Sequence, residues 1–577
     1  MLRFSRVRSQ ARLWVLVLCF VAAGAALANL LLPLALSART TVSAYRAPHL
    51  VANTDVNPFG ANMFLDREVE EWKLRKTLEM AQEAHLGWVK QQFTWEEIEP
   101  VQKGEYFDER TRRSSWEKYD RIVDLCEEYG LQIVARLDRP PDWTREDNTY
   151  KERPPDNFDD YGDFVYAFVD RYRGRIRYVQ IWNEPNIFPE WGNRPVDPKD
   201  YVTLLRVAYQ RAKQADPNVY VLSAPLAITL GQEHPEPGKW ISMNEIDYLE
   251  EMYKAGAKDY FDILSANAFG LGSPPEEPAQ PRVLNFHRVL FLRDVMERYG
   301  DADKPVWFNE YGWNASPEDF GEEQLIWQRV SEEEQAQYTV GGVEYAQEHW
   351  PWAGVFNIWY FRQVGNISPD RSDYYFRMVD IDFTPRLVYN AVEQAAQGLQ
   401  EPLGPGYYQE TNPALVFDGE WQPVIDPQAS AQAHILSEAE GSAVTLTFVG
   451  ENADLIASIG PEGGRLGVSL DGHTVDNLPR NGQGQSYVDL FSPVRQWQRR
   501  VPLVYQADDV EHTLVLTVLE RANLASEGNQ IAIDAFEITR GERSSLPYAM
   551  AALLILAVVV SAGLAFREWR LLRRRER

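Results

Sequence analysis

A chain of 577 residues exceeds one ordinary domain, and its apolar and charged fractions, 45% and 25%, are those of a folded rather than a disordered protein. The formal charge of -27 is unevenly placed: four Arg and no acid in residues 1–12, and six Arg with two Glu in 567–577, put +8 in the tails and leave about -35 for the body, which excludes nucleic acid as a partner. Two Cys, and eight His without ligand spacing, give no reason to expect a disulfide framework, a metal site or a cofactor.

Residues 1–12 read as a cytoplasmic tail. Residues 13–38 carry no charge, which is length enough to span a bilayer, and the Arg cluster ahead of them assigns the N-terminus to the cytoplasm. Ala26-Leu27-Ala28 and Ala35-Leu36-Ser37 are small-residue sites at which a signal peptide could be cut, but the apolar run is long for one and favours an uncleaved anchor. Residues 39–57 read as a polar stalk. At the other end, 541–546 form a tether, 547–566 a second uncharged apolar span and 567–577 a basic cytoplasmic tail. The expected topology has both termini inside, and the bulk of the chain outside, the cell membrane.

Between residues 58 and 400, short apolar runs alternate with longer helical patterns. Strands are expected at 61–64, 88–93, 132–137, 176–182, 219–224, 261–267, 306–310 and 354–359. Amphipathic stretches fall at 67–85, 116–129, 158–172, 199–215, 283–299 and 331–349, the last opened by Ser331 and Glu334 as a capping box. Eight strands alternating with such helical stretches predict an α/β fold, the (β/α)8 TIM barrel; a doubly wound sheet lacks its Gly-rich phosphate turn. Gly404-Pro405-Gly406 marks a linker over 401–412. Beyond it the period becomes alternating, with Val444, Leu446 and Phe448, then Leu466, Val468 and Leu470, Leu514, Leu516 and Val518, and Ile531, Ile533 and Ala535. That pattern predicts an antiparallel β-sandwich over 413–540.

Two stretches carry the chemistry: Ile181-Trp182-Asn183-Glu184-Pro185-Asn186 and Val306-Trp307-Phe308-Asn309-Glu310-Tyr311-Gly312-Trp313. Each is a buried strand running into a carboxylate, Glu184 on strand four and Glu310 on strand seven. In a barrel these tips share one face. Two carboxylates about 5 Å apart there can cleave a glycosidic bond, one attacking the anomeric carbon while the other protonates the leaving oxygen.

In these two motifs, and in Phe93-Thr94-Trp95-Glu96-Glu97-Ile98-Glu99-Pro100, the sequence resembles clan A of the glycoside hydrolases, with family 39 nearest and family 5 next. Family 39 includes β-xylosidases and bacterial exopolysaccharide-cleaving endoglycosidases. The likeness spans roughly residues 58–400. It implies Glu184 as acid/base and Glu310 as nucleophile of a retaining mechanism, Asn183 as a hydrogen-bonding partner of the sugar 2-OH, and Trp359 as the floor of the sugar subsite. Trp95, Trp143 and Trp313 are further candidates for sugar contacts. Two departures stand out: Lys90 replaces an Arg that orients the nucleophile in many relatives, and Asn267-Ala268-Phe269 stands where relatives often carry His and then Tyr. The sandwich resembles galactose-binding-like jelly rolls through Phe417-Asp418-Gly419-Glu420-Trp421, Val468-Ser469-Leu470-Asp471-Gly472 and Ile533-Asp534-Ala535-Phe536. The expected function is a membrane-anchored, extracytoplasmic retaining β-glycosidase acting on an oligo- or polysaccharide. The alternative is a cell-surface glycan-binding protein that keeps the scaffold without turnover.

Overall fold

A computed structural model of the chain describes residues 14–23, 51–236, 239–365, 367–520, 523–540 and 546–574. Eight strands, β1 (Phe59–Met63), β2 (Trp88–Thr94), β3 (Gln132–Asp138), β4 (Tyr178–Ile181), β5 (Tyr220–Leu222), β6 (Leu264–Phe269), β7 (Val306–Gly312) and β8 (Ala353–Ile358), form one parallel sheet in the order β6-β7-β8-β1-β2-β3-β4-β5. Leu222 and Ile263 close it by a parallel bridge, and Ser223 N donates to Ile263 O at 3.1 Å across the seam. Helices α1 (Glu71–Glu83), α2 (Glu117–Glu128), α3 (Phe158–Arg171), α4 (Pro198–Ala215), α5 (Glu245–Lys254), α6 (Val289–Arg298), α7 (Glu332–His349) and α8 (Leu387–Gln397) each follow one strand. This is the TIM barrel the strand–helix alternation predicts. The Ser331–Glu334 capping box opens α7, satisfying backbone donors at both its positions.

Inward-facing side chains fill the barrel in layers. The lowest is aromatic: Trp307 lies 4.9 Å from Trp88 and 4.8 Å from Tyr178, and Tyr178 stacks on Tyr220 at 5.2 Å. Indole and phenol groups buried this way need acceptors. Residues 51–57 supply them: Asn53 O accepts from Trp307 Nε1 at 2.9 Å, Asn53 Oδ1 from the Tyr178 hydroxyl at 2.9 Å, and Asn57 O from Trp88 Nε1 at 2.7 Å. This corrects the stalk over 39–57, because its last seven residues plug the N-terminal end of the barrel; residues 39–50 lie outside the described residues.

The C-terminal unit is the expected antiparallel sandwich. One sheet contains Gln422–Ile425, Ala433–Ser437, Ile531–Thr539, Asn452–Ile459 and Gln496–Val504; the other contains Val416–Asp418, Ala443–Val449, Glu511–Val518 and Arg465–Leu470. Val444, Leu446, Phe448, Leu466, Leu514, Leu516, Ile531 and Ile533 meet in the core between them, as alternation requires. The linker at 401–412 is not free. Its Gly406–Gln409 pairs with Ile531–Thr539, and the Asp55 carboxylate accepts from Gln409 N and Asn412 Nδ2, both at 2.8 Å. Ile425 N also donates to Asn218 Oδ1, just ahead of β5, at 3.1 Å. The sandwich therefore docks under the barrel, opposite the strand tips.

Among the described residues no helix is long and apolar enough to cross a membrane. The span expected at 13–38 is described as helix only over 14–23, about 15 Å of rise and half a hydrocarbon core; 24–38 lie outside the described residues. The span at 547–566 falls within the helix Leu546–Arg574, whose described side chains begin at Leu554, so its described apolar run to Phe566 is about 20 Å long.

Candidate active site

Strand β4 ends at Ile181, and the chain turns sharply: Trp182 and Glu184 take left-handed backbone conformations, φ 71° and 40°. Such residues cost about 1–3 kcal/mol each and persist where their surroundings fix them. Here Asn186 does the fixing. Fully buried, it donates to Ala227 O (2.9 Å) and Met243 O (3.1 Å) and accepts from Ala227 N (2.8 Å), while Glu184 N donates to Pro225 O (3.0 Å). The turn holds Glu184, half-buried, at the barrel mouth.

Glu310 reaches the mouth by a different route. Trp307 and Asn309 face inward on β7, so strict alternation would send Glu310 outward. A β-bulge intervenes: Ala266 of β6 pairs with Phe308, but the next residue, Asn267, pairs with Glu310. Against β8, Phe308 pairs with Phe356 and Tyr311 with Ile358, again one residue in excess on β7. The extra residue turns two successive side chains inward and re-aims Glu310. Asn309 then donates to Gln180 Oε1 at 2.7 Å, and Asn62 donates to Asn309 O at 2.9 Å, bracing the bulge from β4 and β1.

The two carboxylates meet over β6. Asn267 Nδ2 lies 2.6 Å from Glu184 Oε1 and 3.5 Å from Glu310 Oε2, so these oxygens cannot be more than about 6 Å apart. Lys90 Nζ lies 3.8 Å from Glu310 Oε1 and donates to Asn309 O at 3.1 Å. Burial pushes the Glu184 carboxyl up to about 8, with the charges of Glu310 and Glu190 acting in the same direction. Burial likewise draws the Lys90 ammonium down to about 8, against the attraction of Glu310. On the β3–β4 side, Asp138 accepts from Gln92 Nε2 (2.6 Å) and from Arg136 Nε, while Arg136 Nη2 lies 3.8 Å from Glu190. Asn183 Nδ2 comes within 3.5 Å of Glu190, leaving Asn183 Oδ1 buried without a partner among the described residues. Such an acceptor suits a ligand hydroxyl. Among the described residues no group of His, Cys, Asp or Glu could hold a metal ion.

No family model and no curated protein matches this sequence. Among solved structures, several glycoside hydrolases are similar to it. One is a family 39 glycoside hydrolase from the gut symbiont Bacteroides cellulosilyticus WH2, 18% identical, covering 82% of each chain with a TM-score of 0.44. Another is a glucosidase from Croceicoccus marinus, 11% identical, covering 85% of this chain and 97% of the other, TM-score 0.44. A third is a monomeric β-xylosidase from Caulobacter crescentus CB15, 12% identical, covering 82% and 98%, TM-score 0.43.

The aromatic candidates divide. Trp359 follows β8 directly and stays half-buried at the mouth, edge-on to Phe64 with ring centroids 5.9 Å apart. Trp143 is half-buried in the loop after β3, its Nε1 donating to Glu99 O at 2.8 Å. Trp95 and Trp313 are corrections. Trp95 is wholly buried, stacked on Phe164 at 5.1 Å with Nε1 on Glu99 Oε2 (2.6 Å), and has no face left for a sugar. Trp313 is 1% exposed, donates to Ser273 O at 2.7 Å, and lies so close to Gly270 that a Cβ there would come within 1.8 Å of its ring. Both tryptophans hold loops in place. Trp327 escapes the sequence motifs: from the loop after β7 it packs half-buried on Phe269 (4.8 Å) and Phe376 (5.7 Å), in the same apolar cluster that Trp359 flanks. An isolated Trp in a loop of polar residues carries no periodic signal that could have singled it out.

Proposed function

We propose that this chain is a retaining β-glycosidase of the clan A, family 39 type, acting on an oligo- or polysaccharide. The observation that carries it is the carboxylate pair on Asn267. With oxygens no more than about 6 Å apart, the pair suits double displacement rather than the 6.5–9.5 Å that an inverting enzyme needs for its water. Glu310, low in the mouth and beside the Lys90 ammonium, attacks the anomeric carbon as Glu184 gives its proton to the leaving oxygen. In the second step Glu184, now ionised, takes a proton from water, whose oxygen attacks the anomeric carbon and breaks its bond to Glu310. Asn183 and Trp359 orient the sugar. The glycan-binding alternative draws on Phe269, which packs with Trp327 and Phe376 and offers Glu310 no hydroxyl.

The test is hydrolysis of chromogenic β-glycosides by residues 40–545 across pH. Glu184 must be protonated to act as acid, and its carboxyl titrates near 8. The expected profile of kcat/KM is therefore flat or rising to neutrality and falls above about pH 8, where Lys90 also gives up its charge. Binding of glycans with no turnover at any pH would leave only the alternative.

We further propose that the chain is held at the cell membrane by both ends. The Arg clusters outside each uncharged run support it. So does the placement of Trp14 and Val17 beside Ala565, Phe566 and Trp569, which line one open apolar groove. Protease added to intact cells should digest the body and spare tags on both termini; a terminal tag accessible from outside rejects the topology.

A further inference from the structure

Asn267 lies between the two carboxylates, and neither its strand nor the sequence motifs explain why. It is 2% exposed on β6, between Ala266 and Ala268, which face the outer core. Its pairing with Glu310 exists only because of the β7 bulge; in unbroken register it would face Asn309. Its Nδ2 is the hydrogen-bond donor that both carboxylates share, at 2.6 Å to Glu184 and 3.5 Å to Glu310, while its Oδ1 is buried without a partner among the described residues. A short side chain on a strand has little freedom to wander, so this donor is fixed before substrate arrives.

We propose that Asn267 is a positioning residue: its single amide group ties Glu184 to Glu310 at the separation double displacement needs, and it favours the ionised form of Glu184. The consequence follows from the two roles of Glu184. Burial and two neighbouring acids would otherwise keep its proton in place: Glu310 from β7 and Glu190 from the loop after β4. Against them stand Arg136 from β3, Lys90 from β2 and the Asn267 amide. A residue that never released its proton would serve the first step and fail the second. Asn267 donates to the carboxylate and so holds the group within reach of both states. Asn does here what no Asp or Glu could, since a third carboxylate in its place would repel both others.

This inference rests on the proposed hydrolase reading for its chemistry but not for its test. The Glu184 carboxyl can be titrated directly by carbon NMR on protein labelled at glutamate side chains, with the signal assigned by its loss in Glu184→Gln. In Asn267→Ala the midpoint should rise by about one pH unit, the worth of one hydrogen bond to a charged group. The near-isosteric Asn267→Asp, which keeps the packing if the cavity of the alanine variant is not tolerated, should raise it further. In parallel, kcat with an aryl β-glycoside should fall at least tenfold in both variants, with KM changed less than threefold, and the alkaline limb should follow the NMR midpoint. An unchanged midpoint in a folded Asn267→Asp overturns the proposal. A midpoint that moves as expected in a chain that cleaves no glycoside keeps the positioning role and rejects the hydrolase; hydrolysis with an unmoved midpoint does the reverse.

Discussion

Glu310→Gln should reduce kcat/KM on every β-glycoside by a factor on the order of 10,000 or more, whatever the leaving group. The amide has nearly the shape of the carboxylate, so the Asn267 and Lys90 contacts lose charge but little packing, and the fold should survive. What disappears is the oxygen that forms the bond to the anomeric carbon. No improvement of the leaving group restores that bond, because the missing partner is the attacking one. The control is built into the site: Lys90, 3.8 Å from Glu310, loses its counter-charge in the variant, and its already lowered affinity for a proton should fall further. A dinitrophenyl glycoside cleaved by Glu310→Gln at near the parental rate would remove Glu310 from the mechanism.

Much of this arrangement can be read from the chain itself. The barrel is legible because strands buried on both faces are continuous apolar runs, and helices that cover them keep a 3.6-residue stripe. Helices α5 and α8 are not among the amphipathic stretches read from the sequence. The sandwich is legible from its alternation, but not its berth under the barrel, because the Asp55 contacts join residues more than 350 positions apart. The carboxylates are legible as motifs, yet counting by twos on β7 would point Glu310 away from the site; the bulge at Asn309 is a pairing property shared with β6 and β8 that one strand cannot announce. The tryptophans mark the same limit. Trp95 and Trp359 both stand just past strand ends, and only the packing of Phe164 on one and the partial exposure of the other separate core from mouth.

Glu184→Ala should separate the two roles of the second carboxylate, and its signature differs from that of Glu310→Gln. When the leaving group is a poor one, an alkoxide that needs a proton, the first step loses its acid and should slow by about 100- to 10,000-fold. When it is an activated phenol that departs as a stable anion, the first step needs no proton and should run near its parental rate. The second step still needs a base for water, so the glycosyl ester on Glu310 should accumulate and show as a burst followed by slow turnover. Removal of the side chain also empties the space between the turn of β4 and Asn267, whose amide then serves Glu310 alone. A small anion such as azide can enter there and attack the anomeric carbon without a base. It approaches from the face opposite the Glu310 ester, as water does, so two inversions give a β-glycosyl azide of retained configuration. Azide should therefore restore turnover in Glu184→Ala and do nothing for Glu310→Gln. An inverted azide product, or equal leaving-group dependence in the two variants, would exchange or abolish the assigned roles.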